Sequence, residues 1–319
     1  MRYTRMKLLA GLTFVSAAVC AQSYPSRPVR IIVPFAAAGG SDIFARTLAQ
    51  RFTENFGQQF IVDNRAGGNG NIGAEAVVKA APDGRTLLLT TNVLTTNPWL
   101  YRSMPFNVER DLAPITYAGS TPNLLVIHPS LPVKSVKELV SLARTRPGEL
   151  TIAASGIGTP SHLAAELFKQ TARVNLLIIQ YKGTGSSFND LIGGQVAMSF
   201  GSLAGLVPFV KSGRLRALAA SSLKRAASLP DVPTVAETYP GFEVSTWYGL
   251  LAPANTPRDI ITRVQQETVK VLALADVRAR LATQGFDPGG TTPAEFAALI
   301  RNDLARWQKV IREGGIKAE

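Results

Sequence analysis

The chain has 319 residues, and Lys and Arg outnumber Asp and Glu by 34 to 22, giving a net charge of +12. One cysteine and two histidines exclude a disulfide framework and a thiolate metal centre. The cations are scattered, with no run of five and no interleaved aromatic stripe, so the charge argues against nucleic acid and suits an anionic small molecule.

Arg2, Arg5 and Lys7 precede an apolar run over 8–20, and small Ala21 follows Cys20. This pattern predicts a cleavable secretory signal peptide over 1–21 and hence a periplasmic protein. Cleavage would remove the only cysteine and three cations, leaving a net +9. Lipid attachment at Cys20 is the alternative, which bulky Val19 fits poorly. No later stretch is apolar for the ~20 residues that a bilayer span needs.

After the stiff lead-in Tyr24-Pro25-Ser26-Arg27-Pro28, residues 29–35 form a continuous apolar run, as in a strand buried on both faces. A glycine turn, Ala36-Ala37-Ala38-Gly39-Gly40-Ser41-Asp42, leads into an amphipathic helix over 43–55. A strand at 60–62, a helix over about 72–81 and a strand at 86–91 complete a β-α-β-α-β series, for which parallel pairing is expected. Gly68-Asn69-Gly70-Asn71-Ile72-Gly73 matches G-x-G-x-x-G literally. It does not directly follow a strand, and the next strand ends at Asn92 rather than at an acidic residue, so a plain turn is expected and no dinucleotide cofactor.

Residues 97–116 read as irregular. Strands are expected at 123–127, 150–154, 176–179, 196–200 and 215–220, and an amphipathic helix at 135–144. A second glycine turn, Ser155-Gly156-Ile157-Gly158-Thr159, follows the strand at 150–154, and Thr159-Pro160 reads as the cap and first residue of a helix. A third, Gly183-Thr184-Gly185-Ser186, follows Gln180-Tyr181-Lys182. The C-terminal part is helical: Thr292-Pro293-Ala294-Glu295 has capping-box spacing, and Phe296, Ile300, Leu304, Trp307 and Ile311 share one face. These helices have no strand of their own and are expected to return to the first β/α set. The organisation is therefore an α/β protein of two lobes, 22–120 with 248–319 and 121–247. Chain crossings near 118–124 and 244–250 form the hinge.

Catalytic hardware is sparse. His128 precedes Pro129 at a strand end and reads as structural. His162 lies in a first helical turn, but no G-x-S-x-G elbow supports a serine nucleophile. No HExxH, paired aspartates or EF-hand loop points to a metal. Binding asks for less. Three strand-turn-helix junctions leave backbone N–H groups unpaired, and a carboxylate can take charge-assisted hydrogen bonds from them. Gly39 and Gly40 admit close approach, so a side chain at Gly40 is expected to fill the anion's space and leave the fold intact. Ser41, Ser155, Thr159 and Ser186 offer hydroxyls, Tyr181 a phenol or an apolar wall, and neutral His162 one donor. Asp42 is expected to cap the helix or hold the loop.

Several motifs together resemble the substrate-binding receptors of tripartite tricarboxylate transporters, the periplasmic Bug family. They are residues 24–28, Pro34-Phe35 through Gly39-Gly40-Ser41-Asp42, and Val62-Asp63-Asn64-Arg65-Ala66-Gly67-Gly68. Further matches are 155–159 with His162-Leu163-Ala164, Tyr181-Lys182-Gly183, 229–234 and Trp247-Tyr248-Gly249-Leu250-Leu251-Ala252-Pro253. The resemblance spans nearly all of 24–319. It implies a two-lobed fold of type II periplasmic-binding-protein topology that closes on a small carboxylate. It also implies a monomer that delivers this ligand to the transporter's membrane subunits, without cofactor or metal. The resemblance gives ligand contacts to 35–42 and 155–162; the full candidate ligand-binding set is Phe35, Ala38, Gly39, Gly40, Ser41, Asp42 and Asn92 from one side. From the other come Ser155, Gly156, Gly158, Thr159, His162, Tyr181, Gly183 and Ser186. Ser186-Ser187 replace the usual Pro-Ala and Ala197 a usual acidic residue, which leaves the ligand's identity open. A secreted serine hydrolase and a ligand-presenting sensor module are the competing functions.

Overall fold

The computed structural model describes residues 24–37, 39–181, 184–226 and 228–317. The expected signal peptide with Cys20, and the site residues Ala38 and Gly183, lie outside the described residues.

Strand β1 (Val29–Val33) has four of its five side chains buried, and β3 (Thr86–Thr91) buries Leu87, Leu88 and Leu89 in succession. Such runs need cover on both faces. β1 lies parallel between β2 (Phe60–Asn64) and β3, joined through α1 (Gly40–Phe56) and α2 (Asn71–Val78). Gly68–Gly70 forms a single 3-10 turn before α2, as a turn rather than a nucleotide loop should.

The expected irregular stretch is instead ordered. It contains α3 (Val93–Leu100), which carries Pro98 inside it, and the short α4 (Val108–Asp111), capped by the Asn107 side chain. It then enters β4 (Leu112–Ile127), a strand of 16 residues where 123–127 alone was predicted. Pro114, Gly119 and Pro122 read as strand breakers; in the sheet, register shifts at 114–116 and 117–119 absorb the first two.

Next come α5 (Val136–Thr145), β5 (Thr151–Ala154), α6 (Pro160–Ala172), β6 (Leu177–Gln180) and α7 (Thr184–Ile192). Then follow β7 (Met198–Ser202), α8 (Leu203–Lys211), β8 (Arg216–Ala220) and β9 (Ser245–Pro253). The chain closes with α9 (Arg258–Ala273), α10 (Ala275–Thr283), β10 (Asp287–Pro288) and α11 (Pro293–Glu313). The strand order is β2-β1-β3-β9-β4-β7-β5-β6, with β8 and β10 each paired to β4. β4 passes from one half-sheet into the other: residues 112–122 pair with β9, and 123–127 with β7. The result is a two-lobed α/β fold.

α9 and α10 cover the first half-sheet, through Ile261, Val264, Val271 and Leu281. α11 divides itself. Phe296 and Ile300 pack with Ile32, Leu88 and Leu251 of the first half-sheet. Trp307, Val310 and Ile311 join the core of the second, beside Leu125, Ile152 and Phe168. A helix of 21 residues is ~30 Å long, enough to reach both.

Candidate ligand-binding cleft

The pairing fixes which strand ends meet. Thr91, ending β3, lies opposite Tyr248, so β9 continues through 245–247 beyond that end. Ser202, ending β7, lies opposite Asn123, where β4 enters the second half-sheet, and β5 runs parallel to β7. The carboxyl ends of the parallel strands in both lobes therefore face the crossing segment, where open α/β sheets take ligands. Two asparagines mark it, Asn92 directly after the end of β3 and Asn123 within β4 opposite the end of β7. Asn92 Nδ2 donates to the Ser245 carbonyl at 3.4 Å, and Asn123 Nδ2 to the adjacent Val244 carbonyl at 3.1 Å.

On the second lobe a cavity of about 130 Å³ opens at this point. It is lined by Pro160 and Ser161 at the start of α6, Thr184 at the start of α7 and Ser202 immediately before α8. Three helix N-termini thus converge on one space, each a site of partial positive charge. Ser155, Ser161 and Thr159 form a triangle of hydroxyls, with oxygens 2.8 to 3.3 Å apart. Thr159 Oγ1 donates to the Gly156 carbonyl at 2.7 Å, so its proton is committed. The protons of Ser155 and Ser161 hold only each other's oxygens or that of Thr159, and can turn to an anion.

Two expected site side chains have other work in this structure. The Gly158 N–H donates to His162 Nδ1 at 3.0 Å, which places the imidazole proton on Nε2, 3.9 Å from Glu166 Oε1. Burial, helped by Lys169, lowers the His162 pKa to about 4, so the ring is neutral. Through the Gly158 bond it braces the second turn. The Tyr181 hydroxyl donates to Asp190 at 2.8 Å; burial and this bond push its pKa up to about 12. Ser186 is exposed, and its neighbour Ser187 lines the cavity.

On the first lobe, Ser41 and Asp42 are buried at the start of α1. Arg46 Nε lies 3.0 Å from both Asp42 oxygens, its guanidinium reaches Asn64 Oδ1 at 3.3 Å, and Asn64 Nδ2 donates to the Phe35 carbonyl at 3.1 Å. This chain of contacts ties both ends of the first turn together, as expected of Asp42. Gly40 differs from expectation. A Cβ there would point inward, 2.9 Å from the Tyr248 hydroxyl and 3.6 Å from the Phe286 ring, rather than into the cleft. A Cβ on Gly39 would meet only the Ala36 carbonyl, at 3.5 Å.

Residues 35–37 and 39–42 are not among the lining of the second-lobe cavity; they stand at the facing strand ends across the crossing segment. The lobes touch directly where Leu100, ending α3, packs on Gly158. Asn123, Ser161, Thr184, Ser187, Ser202 and Thr246 line the cavity but stand outside the ligand-binding set expected from sequence. Asn123 did leave a signal, a polar residue at the head of the apolar run 124–127, and Ser202 another, a hydroxyl ahead of an apolar helix. Among the described residues no helix is long and apolar enough to cross a membrane, and no cluster of metal-ligating side chains occurs.

Known proteins share this architecture. The family model described as tripartite tricarboxylate transporter family receptor, TctC, matches residues 44–316. Protein BugT of Bordetella pertussis is 37% identical over 99% of this chain and 99% of its own. The structure of Rpa4515 from R. palustris with adipate superposes with a TM-score of 0.82 at 36% identity, covering 92% of this chain and 99% of that one. MatC of Rhodopseudomonas palustris with bound malate gives 0.77 at 29% identity, covering 90% and 100%.

Proposed function

The chain belongs to the tripartite tricarboxylate transporter receptor family, whose members are solute-binding receptors rather than enzymes, and on that premise we propose that it captures a small carboxylate between its lobes. We propose further that, exported through its signal peptide, it works in the periplasm as a monomer and hands this ligand to the transporter's membrane subunits. The lobes are 22–120 with 248–319, and 121–247.

The observation that carries the reading is the meeting of three helix N-termini and turnable serine hydroxyls at strand ends beside the crossing segment. Fixed dipoles and hydroxyls hold an anion without a counter-charge, and among the described residues no Lys or Arg lines this cavity. The adipate and malate of the two neighbours are ligands of that chemistry. In the proposed site Ser155, Thr159, Gly156 and Gly158 serve from one lobe. Phe35, Ala38, Gly39, Gly40, Ser41, Asp42 and Asn92 serve from the other, while Tyr181, Gly183 and Ser186 stand at the third turn. His162 acts behind the second turn rather than on the ligand.

The test is a thermal-shift panel of mono- and dicarboxylates on protein stripped of carried-over ligand. Saturation at a hundred times the dissociation constant adds about 2.7 kcal/mol of stability. A panel without any shift refutes the reading. Co-purification with the membrane subunits tests delivery separately.

A further inference from the structure

β4 and β9 present a second face where they cross between the lobes. Thr246 lines the second-lobe cavity, while Ser245 and Trp247 on either side of it line another cavity, of about 240 Å³. Side chains alternate along a strand, so the two cavities lie on opposite faces of the crossing segment. The middle of α11 covers this rear cavity, between the residues that anchor the helix on the first lobe and those that anchor it on the second. A cavity of about 150 Å³ holds a benzene ring, so there is room here for a ring or a short chain.

Aromatic walls and a negative balance characterise it. The rings are Tyr117, Trp247 and Trp307, and the charged lining residues are Glu243, Asp303 and Arg306, two acids to one base in a chain of net +12. The Arg306 guanidinium is engaged elsewhere: it lies over the Trp307 ring, 5.0 Å from its centroid, and donates to the Glu243 carbonyl. Asp303 accepts from Trp247 Nε1 at 2.7 Å. Trp307 is 2% exposed and borders the same carboxyl, but its Nε1 falls outside hydrogen-bond geometry and has no partner among the described residues. Burial raises the Asp303 pKa, and neither the indoles nor the charge of Arg306 brings it back down. This is a buried carboxylate whose charge is under-compensated.

From this arrangement we infer that the cavity behind the crossing segment is a second binding site, for a small organic cation of the aromatic or alkyl amine class, and that its occupant favours closed lobes. The ammonium goes to Asp303 and Glu243, and the apolar part lies against the indoles, whose faces attract a cation as Trp307 does Arg306. A rotation that brings the cleft edges together on one face of β4 and β9 spreads the other face. A molecule seated in the spread cavity therefore binds the closed form better and shifts the population towards it. The closure half rests on the receptor reading above; the site itself does not.

Trp247 and Trp307 are two of the chain's three tryptophans, so in Trp99→Phe the indole emission reports this cavity. Titration with benzylamine is expected to give a saturable change, and neutral benzyl alcohol, of the same shape, to bind at least tenfold more weakly. Asp303→Asn keeps an acceptor for Trp247 and should weaken benzylamine at least tenfold. If circular dichroism shows that variant unfolded, Glu243→Gln takes its place, with a loss of threefold or more. No saturable change, equal binding of the alcohol, or unchanged affinity in the folded variant overturns the site. With benzylamine saturating, the tightest carboxylate of the thermal-shift panel is expected to bind at least threefold tighter, and benzylamine to gain the same factor in return. Carboxylate affinity unchanged or weakened overturns the closure half. A panel in which no carboxylate binds overturns the receptor reading and closure together, while the benzylamine titration still decides the site.

Discussion

The hydroxyl of Tyr248 lies 2.9 Å from where a Cβ on Gly40 would stand, so the first glycine turn is sealed from beneath by a residue of a distant strand. Tyr248 cannot swing away: it is 4% exposed, stacked on Phe44 at 5.2 Å and edge-on to Phe286 at 5.2 Å. Gly40 is thus a requirement of space, since its backbone is helical.

Gly40→Val is accordingly expected to lower stability by roughly 1–3 kcal/mol, as overpacking does, and to weaken binding as a consequence. Tyr248→Phe in the same chain should recover part of the loss in thermal melts. Gly39→Val, with extended backbone and only the Ala36 carbonyl nearby, should melt as wild type while ligand affinity falls about tenfold or more.

Arg46 links Asp42 to Asn64 across the first turn, but its side chain is 54% exposed. Arg46→Ala should therefore change the melting temperature little, by the equivalent of about 1 kcal/mol or less. The turn it holds is part of the proposed site, so titration should show a several-fold weaker ligand. A loss of stability without loss of affinity would contradict the role given to this clamp.

His162 gives the fold a dependence on acid. Its pKa is lowered to about 4 in the folded chain, by burial and then by Lys169, from 6.5 in the unfolded one. Between these values the unfolded chain binds the extra proton, so stability is complete above about pH 6.5 and is lost as pH falls towards 4. The full loss is on the order of 3 kcal/mol. His162→Gln should flatten that part of the pH–stability curve, measured by denaturant titration at each pH.

Gly158 has φ +71, and Leu100 Cδ1 occupies the space a side chain there would need. Gly57 has φ +68 with nothing within 4 Å. Gly57→Ala should cost only the backbone strain, about 1 kcal/mol, whereas Gly158→Ala should cost more by the steric part. Leu100→Ala added to Gly158→Ala should relieve that part, visible as non-additive melting temperatures.

Much of the fold is written locally. The apolar runs of β1 and β3 and the caps Thr159-Pro160 and Thr292–Glu295 each carry their signal within a few residues; Glu295 Oε2 indeed accepts from the Thr292 N–H at 2.8 Å. β4 is not local in that sense. Pro114 and Gly119 are tolerated because the register with β9 shifts around them, which is visible only with the partner strand in place. The choice between Ser186 and Ser187 is similar: a helix turns about 100° per residue, and packing of Phe188 and Leu191 decides which hydroxyl faces the cavity.

By itself the sequence determined an α/β chain with three glycine turns at strand ends and the family it resembles, because propensity, capping and hydrophobic period act over short distances. Only the tertiary structure decided which side chains stand at the crossing segment, that α11 packs on both lobes, and which protons are already committed. Hydrogen bonds between residues far apart in the chain, such as Asn92 to Ser245 and Asn123 to Val244, have no sequence period to announce them.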